Sequence, residues 1–265
     1  MNEIIDETTN EIINQYYKDY SPVNNPRAYL VVGQPGAGKT QIVEQISIEK
    51  NIAFINGDSY RKFYPDYINL YQKYGDEIIN ITKKFSGEIT ENLIEKLSDK
   101  KINLIIEGTL RTTEVPEKTR NLLSNKQYQV ELDVIVVKPE ISWLRTIKRF
   151  QEMENEGSIP RLTAKEHHDK VVKNLSNNLK EIFQSRKFSE IKLYQQEKTG
   201  FKVIYSMQKT PDVNPSIILD KEFKRKYTKK EIYNIKNEFK KYISINELDA
   251  LFKGKIKQKS LGIER

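Results

Sequence analysis

With 37% hydrophobic and 31% charged residues, the 265-residue chain can build one large domain, or one domain and an appendage. No apolar run approaches the ~20 residues of a membrane span, and the absence of cysteine excludes disulfides and thiolate metal sites. The whole net charge of +8 lies in residues 200–265, with 16 basic and 8 acidic residues, so the balanced remainder is not expected to grip nucleic acid.

Residues 1–7 are acidic and lack the basic and apolar regions of a signal peptide, which predicts a cytoplasmic protein. Residues 3–20 place Ile5, Ile12, Ile13, Tyr16 and Tyr17 on one helical face, and Pro22 and Pro26 then break the helix. The β-branched run 28–32 predicts a buried strand. It ends in Gly33-Gln34-Pro35-Gly36-Ala37-Gly38-Lys39-Thr40, an ungapped match to G-x-x-x-x-G-K-S/T. Residues 40–48 follow with Ile42, Val43 and Ile46 at helical spacing. Strand, glycine loop and helix are the context a phosphate-binding loop requires. The glycines let backbone N–H groups turn toward a phosphate chain, and the helix adds its positive end. Lys39 can reach the β- and γ-phosphates, and the Thr40 hydroxyl can ligate Mg²⁺. The loop therefore predicts binding of a nucleoside triphosphate, without saying what becomes of it.

A second strand is expected at 52–55, mixed structure at 59–74, a long helix at 76–97 and a third strand at 102–106. A helix at 114–124 with Pro116 in its first turn, a strand at 130–137 and an Arg/Lys-rich helix at 139–154 follow. After a glycine-containing loop to Arg161, Thr163 and Glu166 fit a capping box opening a helix to about residue 183. Late strands are expected at 191–194 and 201–205, and short polar helices from 211 onward, with basic clusters at 224–226 and 253–259. This order predicts an α/β fold: a mainly parallel sheet flanked by helices, in a domain over 1–210, and a basic helical C-terminal extension over 211–265.

Ligands of such sheets bind outside the carboxyl ends of the strands, where the glycine loop, Asp58 and Glu107 fall. Asp58 is a candidate base for an attacking hydroxyl, or a helix N-cap. Glu107 stands where an acid would act on Mg²⁺ through water, on a substrate hydroxyl, or as a structural hydrogen-bond acceptor. Thr109 and Arg111 follow on the same rim. Residues 139–163 read as a lid, with Arg145, Lys148, Arg149 and Arg161 as candidates to neutralise a transferring phosphoryl group. His167 and His168, on the next helix, read as ordinary helix residues and a poor basis for zinc.

The segments Val32-Gly33-Gln34-Pro35-Gly36-Ala37-Gly38-Lys39-Thr40, Asn56-Gly57-Asp58-Ser59-Tyr60 and Leu104-Ile105-Ile106-Glu107-Gly108-Thr109-Leu110-Arg111-Thr112-Thr113 resemble the zeta toxins of bacterial toxin–antitoxin systems. Residues 161–169 are similar to the segment after their lid, and the resemblance spans about 25–205. It implies a P-loop kinase-like fold and an ATP- and Mg²⁺-dependent kinase for the 3′-hydroxyl of the sugar in UDP-N-acetylglucosamine, starving cell-wall synthesis. It also implies a small helical antitoxin covering the ATP site. By the resemblance, Lys39 and Thr40 are ATP–Mg²⁺ ligands and Asp58 the base. Glu91, Glu107, Thr109 and Arg111 contact the sugar nucleotide, and Arg149 and Arg161 clamp phosphate. Val32 stands where many members have a second glycine, and Leu162 where a smaller residue is common. Two other readings stay open: a P-loop kinase of another small-molecule or nucleic-acid hydroxyl, and a non-catalytic nucleotide-gated interaction protein.

Overall fold

A computed structural model describes residues 1–47, 51–161, 163–197 and 199–256. Ile48, Leu162 and residues 257–259 of the second basic cluster lie outside them. In chain order the elements are α1 (Asn2–Ile12), β1 (Arg27–Val32), α2 (Lys39–Ile46), β2 (Ile52–Ile55), α3 (Tyr67–Tyr74), α4 (Ile78–Ile81) and α5 (Lys83–Asp99). Then come β3 (Asn103–Gly108), α6 (Glu114–Asn125), β4 (Gln129–Val136), α7 (Pro139–Asn155) and α8 (Lys165–Ser185). The hairpin β5 (Glu190–Glu197) and β6 (Gly200–Ser206) precedes α9 (Pro215–Lys224), α10 (Lys229–Phe239) and α11 (Ile245–Phe252).

Among the described residues the strands form one six-stranded sheet in the order β2-β3-β1-β4-β5-β6, parallel except for the β5–β6 edge pair. Strand alternation assigns the two faces. Leu30, Val32, Leu104, Ile106, Leu132, Val134 and Leu193 face the larger core beneath α1, α5 and α8. Val31, Ile105, Ile135 and Tyr194 face α2 through Ile42 and Val43. Both faces are covered, so the strands are apolar throughout, as parallel strands tend to be. A third apolar cluster joins Leu144 of α7 to Tyr227, Ile232, Phe239, Tyr242, Leu248 and Phe252 of the C-terminal helices and their connections. No helix among the described residues is long and apolar enough to cross a membrane.

Three local expectations are corrected. The first helix ends as a π-turn over Ile13–Tyr17. The helix expected over 76–97 is divided: a short 3₁₀ turn and α4 precede α5, with the junction at Thr82. There Arg61 Nη1 donates to Ile79 O (2.8 Å) and to Thr82 Oγ1 (2.9 Å), taking up a carbonyl at the end of α4. The capping box at Thr163 does not form. Ala164 is the N-cap of α8 and makes no side-chain cap bond, while the Thr163 hydroxyl accepts from Arg149 Nη2 at 3.2 Å.

Candidate active site

The glycine loop joins β1 to α2 at the point where the neighbours of β1 are β3 on one side and β4 on the other, the crevice expected of a doubly wound sheet. Gly36 (φ +77°) and Gly38 (φ +90°) occupy left-handed backbone that favours glycine. A Cβ on Gly36 would stand 2.0 Å from the Ser142 carbonyl oxygen, so the loop lies directly on the first turn of α7. Gln34, fully buried, locks that approach: its Nε2 donates to Val137 O (2.7 Å) and Ser142 Oγ (3.3 Å). Ser142 Oγ is 2.9 Å from His168 Nε2, and His168 Nδ1 is 3.1 Å from Asp169 Oδ1. Loop, α7 and α8 are thus one hydrogen-bonded unit. Gly38 is the N-cap of α2 and supplies no side-chain cap bond, so the positive end of the helix faces the loop.

Lys39 Nζ donates to the carbonyls of Gly33 (3.2 Å) and Gln34 (3.3 Å) and lies 3.7 Å from Glu107 Oε1. Burial pushes the Lys39 ammonium below its ordinary range, and the Glu107 charge opposes that shift. Burial pushes Glu107 up, against the attraction of Lys39 and with the repulsion of Asp58. The other Glu107 oxygen accepts from Asn56 Nδ2 at 3.0 Å.

Asn56 settles the cap question at β2. Its Oδ1 accepts from the Asp58 backbone N–H (3.0 Å), making Asn56 the N-cap of the 3₁₀ turn Gly57–Phe63. Asp58 is therefore not the cap, and its exposed carboxylate accepts from Arg61 Nε at 2.9 Å. Nearby protein disfavours the Asp58 charge, but the Arg61 hydrogen bond and charge, aided by Arg161 and Arg149, hold its carboxyl below the usual range. A Cβ on Gly57 would stand 2.9 Å from Thr90 Oγ1, so this turn closes tightly on α5.

Arg149 and Arg161 both lie at the surface, and their charges act on Asp58 and on Glu107. The structure brings five of the predicted residues to one cleft: Lys39, Asp58, Glu107, Arg149 and Arg161. Thr40 is exposed at the head of α2. Thr109 and Arg111 share the turn after β3, where Leu110 holds a left-handed φ of +54° and its carbonyl accepts from Asn178 at 3.0 Å. Among the described residues Glu91 is engaged elsewhere. Its two oxygens accept from Lys118 Nζ at 3.0 Å on the surface of α5.

Sequence reasoning gives no site role to Asn56 or Arg61 and reads His167 as an ordinary helix residue. Arg61 stands three residues after Asp58 within one helical turn, a spacing that could have shown it. His167 feels both Arg111 and Asp58, and burial, joined by Arg111, pushes its imidazole down. Arg145 reaches the loop, with Nη1 3.9 Å from a Cβ built on Gly38, a position that Phe201 approaches to 3.5 Å.

Comparison with known proteins gives a consistent set of relatives. The family model described as Zeta toxin matches residues 11–210. Toxin PezT of Streptococcus pneumoniae is 43% identical over 180 residues, covering 66% of this chain and 70% of that protein. Toxin zeta of Streptococcus agalactiae is 38% identical over 218 residues, covering 81% and 75%. Among solved structures, that of the PezAT chromosomal toxin–antitoxin system of S. pneumoniae superposes with a TM-score of 0.79 at 31% identity, covering 94% of this chain and 96% of that one. The AvrRxo1-ORF1:ORF2 structure with ATP shares the fold alone, at 14% identity and a TM-score of 0.57, covering 97% and 84%.

Proposed function

The chain belongs to the zeta toxin family, and from that premise we propose that it is the toxin of a toxin–antitoxin pair, phosphorylating the sugar 3′-hydroxyl of UDP-N-acetylglucosamine with ATP and inhibiting cell-wall synthesis. The observation that carries the reading is the grouping of Asp58, Glu107 and Lys39 at the strand ends, under the charges of Arg149 and Arg161. An ionised carboxylate, a phosphate-binding lysine and two arginines are the groups that moving a phosphoryl group to a hydroxyl demands.

In this reading, residues 33–40 and Lys39 hold the β- and γ-phosphates. Asp58 accepts the acceptor's proton as its oxygen bonds to the γ-phosphorus and the bond from that phosphorus to the β–γ bridging oxygen breaks. Arg149 and Arg161 stabilise the charge on the transferring group. Glu107, Thr109 and Arg111 hold the sugar nucleotide, and Glu91 joins them by leaving Lys118. Mg²⁺ suits the donors present: the Thr40 hydroxyl is exposed at the loop, with Glu107 as an acid beside Lys39. Among the described residues no group of three or more His, Asp or Glu could by itself hold a metal ion. When bound, Mg²⁺ neutralises phosphate charge. The partner is a small helical antitoxin over the ATP site, and the place of action is the cytoplasm.

The test is a panel of acceptors with γ-labelled ATP: UDP-N-acetylglucosamine, other sugar nucleotides, aminoglycosides, oligonucleotide ends and no acceptor. Label on the sugar of UDP-N-acetylglucosamine is the expected result. Label on another acceptor overturns the substrate, and label on none overturns the kinase.

A further inference from the structure

We propose that the C-terminal helices are a positioning brace for the arginine-bearing helix α7, acting on Arg149 through Tyr242 and Gln151. The proposal rests on the kinase reading above for its catalytic consequence, and on packing alone for the brace itself.

Helical spacing divides α7 into two faces. Ser142, Arg145 and Arg149 are spaced to share the face toward the glycine loop, and Ser142 is tied to Gln34 there. Glu140, Ile141, Leu144, Ile147 and Gln151 are spaced to share the opposite face, and the extension covers it. Leu144 is fully buried among Tyr227, Phe239, Tyr242, Leu248 and Phe252, with Ile141 and Ile147 packed beside it.

Polar contacts run the length of this seam. Lys138, ahead of α7, donates to the carbonyls of Glu222 and Arg225 at the end of α9 and stands over the Tyr227 ring at 4.3 Å. Glu140 accepts from the Tyr227 hydroxyl at 2.8 Å and pairs with Lys255. Lys148 lies 3.8 Å from Glu238. Gln151 Nε2 donates to Tyr242 O at 2.8 Å, and the Tyr242 hydroxyl donates to Glu152. From 138 to 152 the seam follows α7 for about 20 Å.

The glycine loop meets α7 through Ser142, Arg145 and Thr146, all on the N-terminal side of Arg149. Past Arg149, the hydrogen bonds of Gln151 and Glu152 to Tyr242 fix the helix instead. Loosening them lets the Arg149 end drift while the loop end stays fixed, and drifts of an ångström matter to phosphoryl transfer.

Tyr242→Phe removes one hydroxyl and keeps the ring in its apolar cluster. Combined with Gln151→Leu, it removes both bonds past Arg149. The expected result is a kcat lowered roughly tenfold or more, an ATP KM within about twofold of wild type, and an almost unchanged Tm. In an Arg149→Ala background the same pair should cost nothing further, because it acts through that guanidinium. Hydrogen exchange over residues 139–155, measured without substrate, should quicken in the double variant. Unchanged kcat overturns the proposal, as does an equal loss in the Arg149→Ala background, which marks a merely structural role. Unchanged exchange overturns the brace whatever the acceptor proves to be, so its failure is read separately from that of the kinase assignment.

Discussion

At Asp58 a single atom separates the base from a bystander. Asn56 already caps the turn, so Asp58→Asn loses no cap, and Arg61 keeps its bonds to Ile79 and Thr82. Single-turnover transfer is expected to fall by roughly 10²–10⁴ with ATP binding and Tm near wild type; wild-type transfer would remove Asp58 from the mechanism. The base works ionised, and Arg61, against crowding, holds its carboxyl below the ordinary range. The acid limb of the pH–rate profile should therefore lie below ordinary carboxylate values, and a limb at neutral pH would contradict it. Asp133 behaves oppositely. It is fully buried in β4, beside Lys192 and Tyr194 of β5. Burial, against the pull of Lys192, pushes it from 3.8 up to about 7. A raised carboxyl stabilises the fold below its unfolded value and loses that contribution as pH climbs through the folded one. Asp133 should thus cost stability between about pH 4 and 7. Asp133→Asn should flatten that decline and raise stability at pH 8 by about 1 kcal/mol or more. Unfolding midpoints across pH 4–8 check this, and an unchanged slope refutes it.

Among the elements, the Arg149 end of α7 and the segment to Arg161 carry the transition-state charge in the proposed reaction. Alanine at either arginine is expected to lower kcat more than it raises the ATP KM, by roughly tenfold or more. A change confined to KM would leave them as binding residues only. The same elements mark where sequence stops being informative. The glycine loop was legible because each of its residues has a local reason, and Asp58 and Glu107 because β2 and β3 end beside it. The capping-box pattern at Thr163 does not form because α8 starts one residue later, with Ala164 at the N-cap, and the Thr163 hydroxyl accepts instead from Arg149, fourteen positions away. The break at Thr82 depends on Arg61, 21 positions earlier. The surface pairing of Glu91 with Lys118 and the tie from Gln34 to Ser142 join residues 27 and 108 positions apart. No local periodicity encodes such pairs. The short polar helices after residue 211 were visible, but not that Leu144 is the residue they bury.

For the whole molecule, several cations of the C-terminal quarter are held in ion pairs, one of them with an acid of α7. Lys224 pairs with Asp220, Arg225 with Glu222 and Glu231, Lys236 with Asp249, and Lys255 with Glu140. The full chain is therefore expected to show no meaningful binding to DNA or RNA at physiological salt. A filter-binding titration checks this, and tight binding that falls steeply with salt would overturn it. The seam along α7 also has a meaning in time. Every residue of the cleft, from Gly33 to Arg161, is translated before Tyr227, yet α7 is covered by side chains as late as Lys255. During synthesis the cleft's residues are all present while the apolar side of its arginine helix still lacks a cover. A ribosome stalled between residues 161 and 227 thus holds a cleft complete in sequence and unfinished in structure.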